Sequence, residues 1–145
     1  MGKFSKQALE WNQDLISRVN KMTPAAVAKA SPYYYTQIPT EIRDIHFEWS
    51  FYGEPISSFG LELHFESPEK NTNLAMIKKF ESYKAEIEKA TGEQVTFQEK
   101  WQNGWTRLFI VKHNIQLDDN LKVWAAQKMA LMFKVLHPRV KALNG

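Results

Sequence analysis

Two histidines and two glutamates stand where a metal ion or a proton could be shared. Between positions 43 and 66, His46 and Glu48 alternate with Ile45, Phe47, Trp49 and Phe51, and Glu62 and His64 alternate with Leu61, Leu63 and Phe65. Such alternation predicts strands with one apolar and one polar face. If the two runs close into a hairpin around Pro55, His46 faces His64, Glu48 faces Glu62 and Asp44 faces Glu66. Opposed residues on one face of an antiparallel pair hold their Cβ atoms about 4.5–5.5 Å apart, so two imidazoles and two carboxylates come within reach of one divalent ion. A metal-dependent hydrolase is the enzyme class this cluster would serve. The same residue types also suit an ordinary strand face turned to water.

A second group suits binding. Lys100, Arg107 and Lys112 stand near Trp101, Trp105 and Phe109, a mixture of cations and rings that can stack bases and meet phosphates. The same rings could pack under a helix, or meet a second copy of the chain through Trp105 and Phe109. Tyr33-Tyr34-Tyr35, between Pro32 and Pro39, reads as an irregular loop whose rings either plug the edge of a sheet or form a platform.

Other chemistry is excluded by composition. The chain has no cysteine, which removes disulfides, thiolate metal sites and a cysteine nucleophile, and weakly favours a cytosolic setting. There is no Gly-x-Ser-x-Gly elbow, and the six glycines are spread singly, so no phosphate-cradling loop can be drawn. Nothing calls for a cofactor. Nineteen basic and 16 acidic side chains leave a net charge of +3, which permits an anionic partner without demanding one. No apolar run approaches the roughly 18 residues of a membrane span.

The elements that must position these groups follow from periodicity. Ala8, Trp11, Leu15, Val19 and Met22, with Phe4, make one stripe of a first helix from about Lys6 to Met22, capped by Ser5 and ended at Thr23-Pro24. A short helical turn from Ala25 is expected next. Met76, Phe80, Tyr83, Ile87 and Ala90 form the stripe of a single central helix that Gly92 closes. Asn103-Gly104 predicts a type I′ hairpin turn, pairing Phe97 with Ile110 and Glu99 with Leu108. A last helix starts near Asp118-Asp119-Asn120, buries a wide sector including Leu121, Met129 and Leu131, and is kinked or ended by Pro138.

The expected architecture is therefore one α+β domain, residues 1–145, in the order α-β-β-α-β-β-α: a four-stranded, mainly antiparallel sheet of two hairpins with three helices packed chiefly on one face. Leu9-Glu10-Trp11-Asn12, Leu61-Glu62-Leu63-His64-Phe65, Asn73-Leu74, Tyr83-Lys84-Ala85-Glu86-Ile87-Glu88 with Gly92, Val95-Thr96-Phe97-Gln98 and Leu136-His137-Pro138-Arg139-Val140 resemble a prokaryotic family of unknown function, over most of the chain. Members of that family often follow a restriction-endonuclease-like segment, which implies an accessory role in DNA processing or defence. The sequence departs from that setting: it has no nuclease segment, and Glu99-Lys100 lacks the spacer of a Glu-x-Lys motif. The function expected is thus a non-catalytic binding or accessory module of the prokaryotic cytosol, with a protein or nucleic-acid partner and no membrane. The metal-dependent hydrolase and the nucleic-acid-binding domain are the alternatives.

Overall fold

The computed structural model describes residues 6–23, 29–31 and 33–143. Phe4, the Ser5 cap and the helical turn expected from Ala25 lie outside them. The described residues form four α-helices and five strands in the order α1 (Lys6–Met22), β1 (Tyr35–Pro39), β2 (Ile45–Tyr52), β3 (Ser58–Phe65), α2 (Lys70–Glu81), α3 (Lys84–Thr91), β4 (Thr96–Gln98), β5 (Thr106–His113) and α4 (Asp119–Ala142). The sheet order is β1-β2-β3-β5-β4, every neighbouring pair antiparallel.

The class is α+β, but the expected four strands and three helices are each one short. The fifth strand is β1, in the segment read as a tyrosine-rich loop. Its Thr36 and Ile38 are buried while Tyr35, Gln37 and Pro39 are exposed, so it alternates like any strand with one covered face. The tyrosines and prolines hid that alternation. The fourth helix arises because the central one breaks at Ser82-Tyr83. There the Ser82 hydroxyl donates to the Lys79 carbonyl at 2.6 Å, and the Tyr83 amide bonds Phe80 at 3.0 Å, tightening the turn enough to redirect the chain. Gly92 does close α3, at φ 72°.

Apolar alternation on β2, β3 and β5 builds the floor of one core. Phe47, Trp49, Phe51, Phe59, Leu61, Leu63, Phe65, Leu108 and Ile110 are all buried. Helices cover this face: Trp11 of α1 stands edge-on to Phe51 and Phe59 at 5.0 and 5.5 Å, Phe133 of α4 meets Phe47 at 4.9 Å, and Phe80 of α2 meets Phe65 at 5.2 Å. Trp49 Nε1 donates to Asn12 Oδ1 at 3.0 Å, which gives α1 a polar anchor inside the core. Met22 and Leu131, placed in apolar stripes by spacing, are 52% and 37% exposed, at the margins of their helices.

Two terminators behave differently from expectation. Pro138 lies inside α4, which runs on to Ala142. Pro138 and Lys134, whose carbonyl loses its amide partner, both face solvent, where water can satisfy the freed group. Asn103 and Gly104 have φ 57° and 76° with the Trp105 amide bonded to the Gln102 carbonyl at 3.0 Å, the geometry of a type I′ turn. Yet Phe97 pairs with Leu108 rather than Ile110, because the segment from Glu99 to Trp101 carries two more residues than its partner side. Parity is kept under a shift of two, so Phe97 and Leu108 still share a face.

The helices are clamped to each other by charge. Asp14 of α1 accepts from Lys122 of α4 at 2.8 Å and from Arg18 at 3.3 Å, and Arg18 reaches Asp119. The Lys122 and Arg18 hydrogen bonds hold the Asp14 carboxyl below its ordinary range. A carboxyl depressed in the folded state stabilises above the ordinary aspartate pKa of 3.8, and that contribution is lost as pH falls through the folded value. Asp14→Asn should therefore lower the melting temperature at pH 7, and the gap from the native protein should close below the ordinary aspartate range. With the side chain 40% exposed, solvent screening keeps the effect to a few degrees, read by calorimetry against pH. Gly92→Ala meets only the end of Lys128, at 3.6 Å, so its cost is the left-handed backbone alone, about 1 kcal/mol by urea denaturation.

Candidate functional site

The other face of the sheet carries the charged groups. β2 and β3 pair His46 with His64 and Glu48 with Glu62, the register that closing the hairpin around Pro55 requires. The face is not wet, however. Glu62 is 0%, His64 1% and Glu48 8% exposed. Alternation reports that a strand has two sides, and does not report what lies over the second.

The cover comes from neighbours distant in sequence. β1 sets Gln37 beside Glu48 and Tyr35 beside Ser50. β5 sets Arg107 opposite His64. The segment before the type I′ turn folds back so that Trp101 meets His64 edge-on at 4.5 Å and Trp105 lies 6.0 Å from Trp101. Asn73 holds that turn in place. Its side chain accepts from the Ser67 amide and donates to the Ser67 and Gly104 carbonyls at 2.8, 2.8 and 3.1 Å, while its own carbonyl accepts from Thr106 at 3.0 Å.

Glu62 is the hub. Its carboxylate takes hydrogen bonds from the Tyr52 hydroxyl and from Arg107 Nη1 at 3.0 Å, and lies 2.5 Å from His64 Nε2. Burial alone would raise its carboxyl, but His64, Tyr52 and the Arg107 charge outweigh that and hold it below the ordinary glutamate range. Burial alone would lower His64; contacts with Glu62 and Glu66 and the nearby Glu48 charge instead raise it to about 9, which favours the imidazolium at neutral pH while no metal is bound. Tyr52 is pushed upward by burial and the Glu62 charge and stays a hydroxyl.

On the other side of the His64 ring, Nδ1 lies 2.9 Å from Glu66 Oε2 and 3.8 Å from Glu48 Oε1. His46 Nε2 lies 3.2 Å from Glu48 Oε1 and 3.8 Å from Glu66 Oε2. Ser50 Oγ donates to Glu48 Oε2 at 2.8 Å. Above these groups opens a cleft of about 550 Å³, bounded by Tyr35, Gln37, Glu48, Glu66, Trp101, Trp105 and Arg107. That volume is in the range of small-ligand sites.

The structure therefore gathers His46, Glu48, Glu62 and His64, with Glu62 on the opposite ring nitrogen from Glu48 and Glu66. Asp44 continues the pairing through its carbonyl, which accepts from the Glu66 amide at 2.8 Å, but its side chain is exposed outside the cluster. Of the aromatic and basic set, Trp101 and Trp105 are half-buried cleft walls, and Arg107 lies over Trp101 at 4.5 Å and over Phe109 at 4.8 Å. Arg107 donates inward, to Glu62, Tyr52 and Gln98. Lys100 is exposed, and Lys112 is drawn away over Trp124 at 5.1 Å. Sequence reasoning left out Tyr52 and Gln98, and placed Glu66 on the polar face opposite Asp44 without including it among the metal candidates. Tyr52 shares the parity of His46 and Glu48 on β2, and Glu66, one residue past β3, that of Glu62 and His64, so both were open to the same argument.

Fold and site together define an α+β domain with a charged cleft in the open face of an antiparallel sheet. The chain belongs to the family described as a domain of unknown function, DUF4268, which matches residues 7–143. No curated protein and no solved structure matches it. Among the described residues no helix is long and apolar enough to cross a membrane.

Glu62→Gln removes the countercharge of two buried cations while preserving shape. It should cost about 3–5 kcal/mol in urea denaturation, because unpaired buried charge is penalised more than the pair was worth. Glu66→Gln, with a side chain 19% exposed, should cost less than half as much.

Proposed function

We propose that this chain is a non-catalytic binding module of the prokaryotic cytosol whose cleft takes a cationic group. The observation that carries the reading is the balance of the charges: Glu48, Glu66 and Arg107 all line the cleft, but the Arg107 guanidinium is already bound to Glu62 behind it. Glu48, Glu62 and Glu66 face two cations, Arg107 and the His64 imidazolium, so the site retains negative charge. Trp101, Trp105 and Tyr35 add ring faces, which attract cations in company with carboxylates. The cysteine-free sequence supports the cytosolic setting.

The accessory DNA role that the family resemblance implies draws on the half-exposed Trp101–Trp105 pair and the exposed Lys100. Phosphates entering the cleft would meet Glu48 and Glu66, so in this second reading a single strand lies along the rim with bases on the tryptophans. A thermal-shift panel separates the two. Agmatine, spermidine or divalent metal ions at millimolar concentration should raise the melting temperature by several degrees, and the Glu48→Gln/Glu66→Gln double variant should lose the response. Stabilisation by a single-stranded oligonucleotide with a steep salt dependence, and none by any cation, would replace the cation reading with the nucleic-acid one.

A further inference from the structure

We infer that the cation held in this cleft is a divalent transition metal of the zinc class, ligated by His46 Nε2, Glu48 Oε1 and His64 Nδ1, with Glu66 supplying a fourth donor. The inference rests on the cation-binding reading and narrows it to one ion chemistry and one set of atoms.

Distance is the first argument. Ligand atoms of His46, Glu48 and His64 all lie within 4.8 Å of one another. The four contacts that alternate imidazole and carboxylate around the ring, His46–Glu48, Glu48–His64, His64–Glu66 and Glu66–His46, measure 3.2, 3.8, 2.9 and 3.8 Å. Donors at 2.0–2.2 Å from a tetrahedral zinc stand roughly 3.3–3.6 Å apart. Closing the four groups on an ion therefore changes these four separations by about 0.7 Å or less and draws the His46 and His64 nitrogens, within 4.8 Å across the ring, together by about 1.5 Å at most, within the reach of side-chain torsions.

Orientation is the second. A metal-binding histidine commonly gives its other ring nitrogen to a carboxylate, which fixes the ring and leaves the remaining nitrogen for the ion. Glu62 does this to His64: it holds Nε2, and Nδ1, facing Glu48 and Glu66, gives up its proton to solvent when the ion binds. Glu62 is in turn fixed by Tyr52 and Arg107. Ser50 holds Glu48 Oε2, leaving Oε1 beside both histidines. Two of the donors are thus oriented from behind by groups that do not themselves enter the ring of four.

Donor type selects the ion. Imidazole nitrogen with carboxylate oxygen suits zinc, iron, cobalt or nickel, whereas calcium and magnesium call for oxygen throughout. The two carboxylates balance a charge of +2, and because both line the cleft, water or a small ligand can reach a vacant coordination position.

The test is titration of the metal-stripped chain with Co²⁺, followed through its visible ligand-field bands, then displacement by Zn²⁺ and calorimetry. One equivalent should bind with micromolar affinity or better. His46→Gln, chosen because His46 makes no contact with Glu62, should weaken binding by about 100-fold or more with unchanged far-UV circular dichroism. Glu66→Gln should weaken it by about 10-fold and serves as the reading if His46→Gln misfolds. Tyr52→Phe, which removes a hydroxyl bonded to Glu62 and Arg107, should weaken it by up to about 10-fold. The His113→Gln/His137→Gln double variant should leave affinity unchanged. Native binding weaker than millimolar, or equal binding by native and His46→Gln protein, would overturn the metal site. If agmatine or spermidine still stabilises the native chain and not the Glu48→Gln/Glu66→Gln variant, only this inference fails; if they do not, the cation reading fails too.

Discussion

A carboxylate cut off from water on the middle strand must find its partners inside the protein. Glu62 has 0% exposure, and an unpaired charge there would be among the costliest defects a small domain could carry. Its partners come from three strands: Tyr52 from the end of β2, His64 from β3 itself, and Arg107 from β5. β2, β3 and β5 can slide past one another only by breaking that set. The constraint thus fixes register from the polar side of the sheet, as the phenylalanines and leucines fix it from the other.

This division explains why the two faces differ so much in kind. Beneath the helices, packing is apolar and anchored by isolated polar contacts such as Trp49 to Asn12. On the open face a largely buried network of acids and bases is walled by Trp101 and opens to the cleft through Glu48 and Glu66. The 101–105 turn is a necessary part of that seal, and Asn73 near the start of α2 binds it through Gly104 and the adjoining Thr106, while two further hydrogen bonds tie the same side chain to Ser67. Site and fold are accordingly one construction. The loop that walls the cleft is tied to the helix that covers the core.

Much of the first hairpin was legible in the sequence, because a period of two is unambiguous once both strands show it: His46 opposite His64 follows from counting. The helical stripe of α1 was legible for the same reason. What was not legible depends on long-range contact. The β3–β5 pairing that brings Arg107 to His64 spans two helices and a short strand, and no local pattern reports it. β1 was obscured by tyrosines and prolines that also suit a loop, and the break in the central helix turns on a hydroxyl of Ser82, a residue common on helix surfaces. The Asn103-Gly104 turn was read correctly while its register was not, since a turn dictates its own four residues and not the number of unpaired residues before the ladder resumes.

The rims of the sheet have a consequence of their own. One outer strand, β4, is three residues long, and the other, β1, ends in Pro39, which has no amide hydrogen to offer a neighbouring chain. Neither margin presents a long ladder on which a stranger's backbone could lengthen the sheet, so a protein with this fold is guarded against cross-β growth even when concentrated.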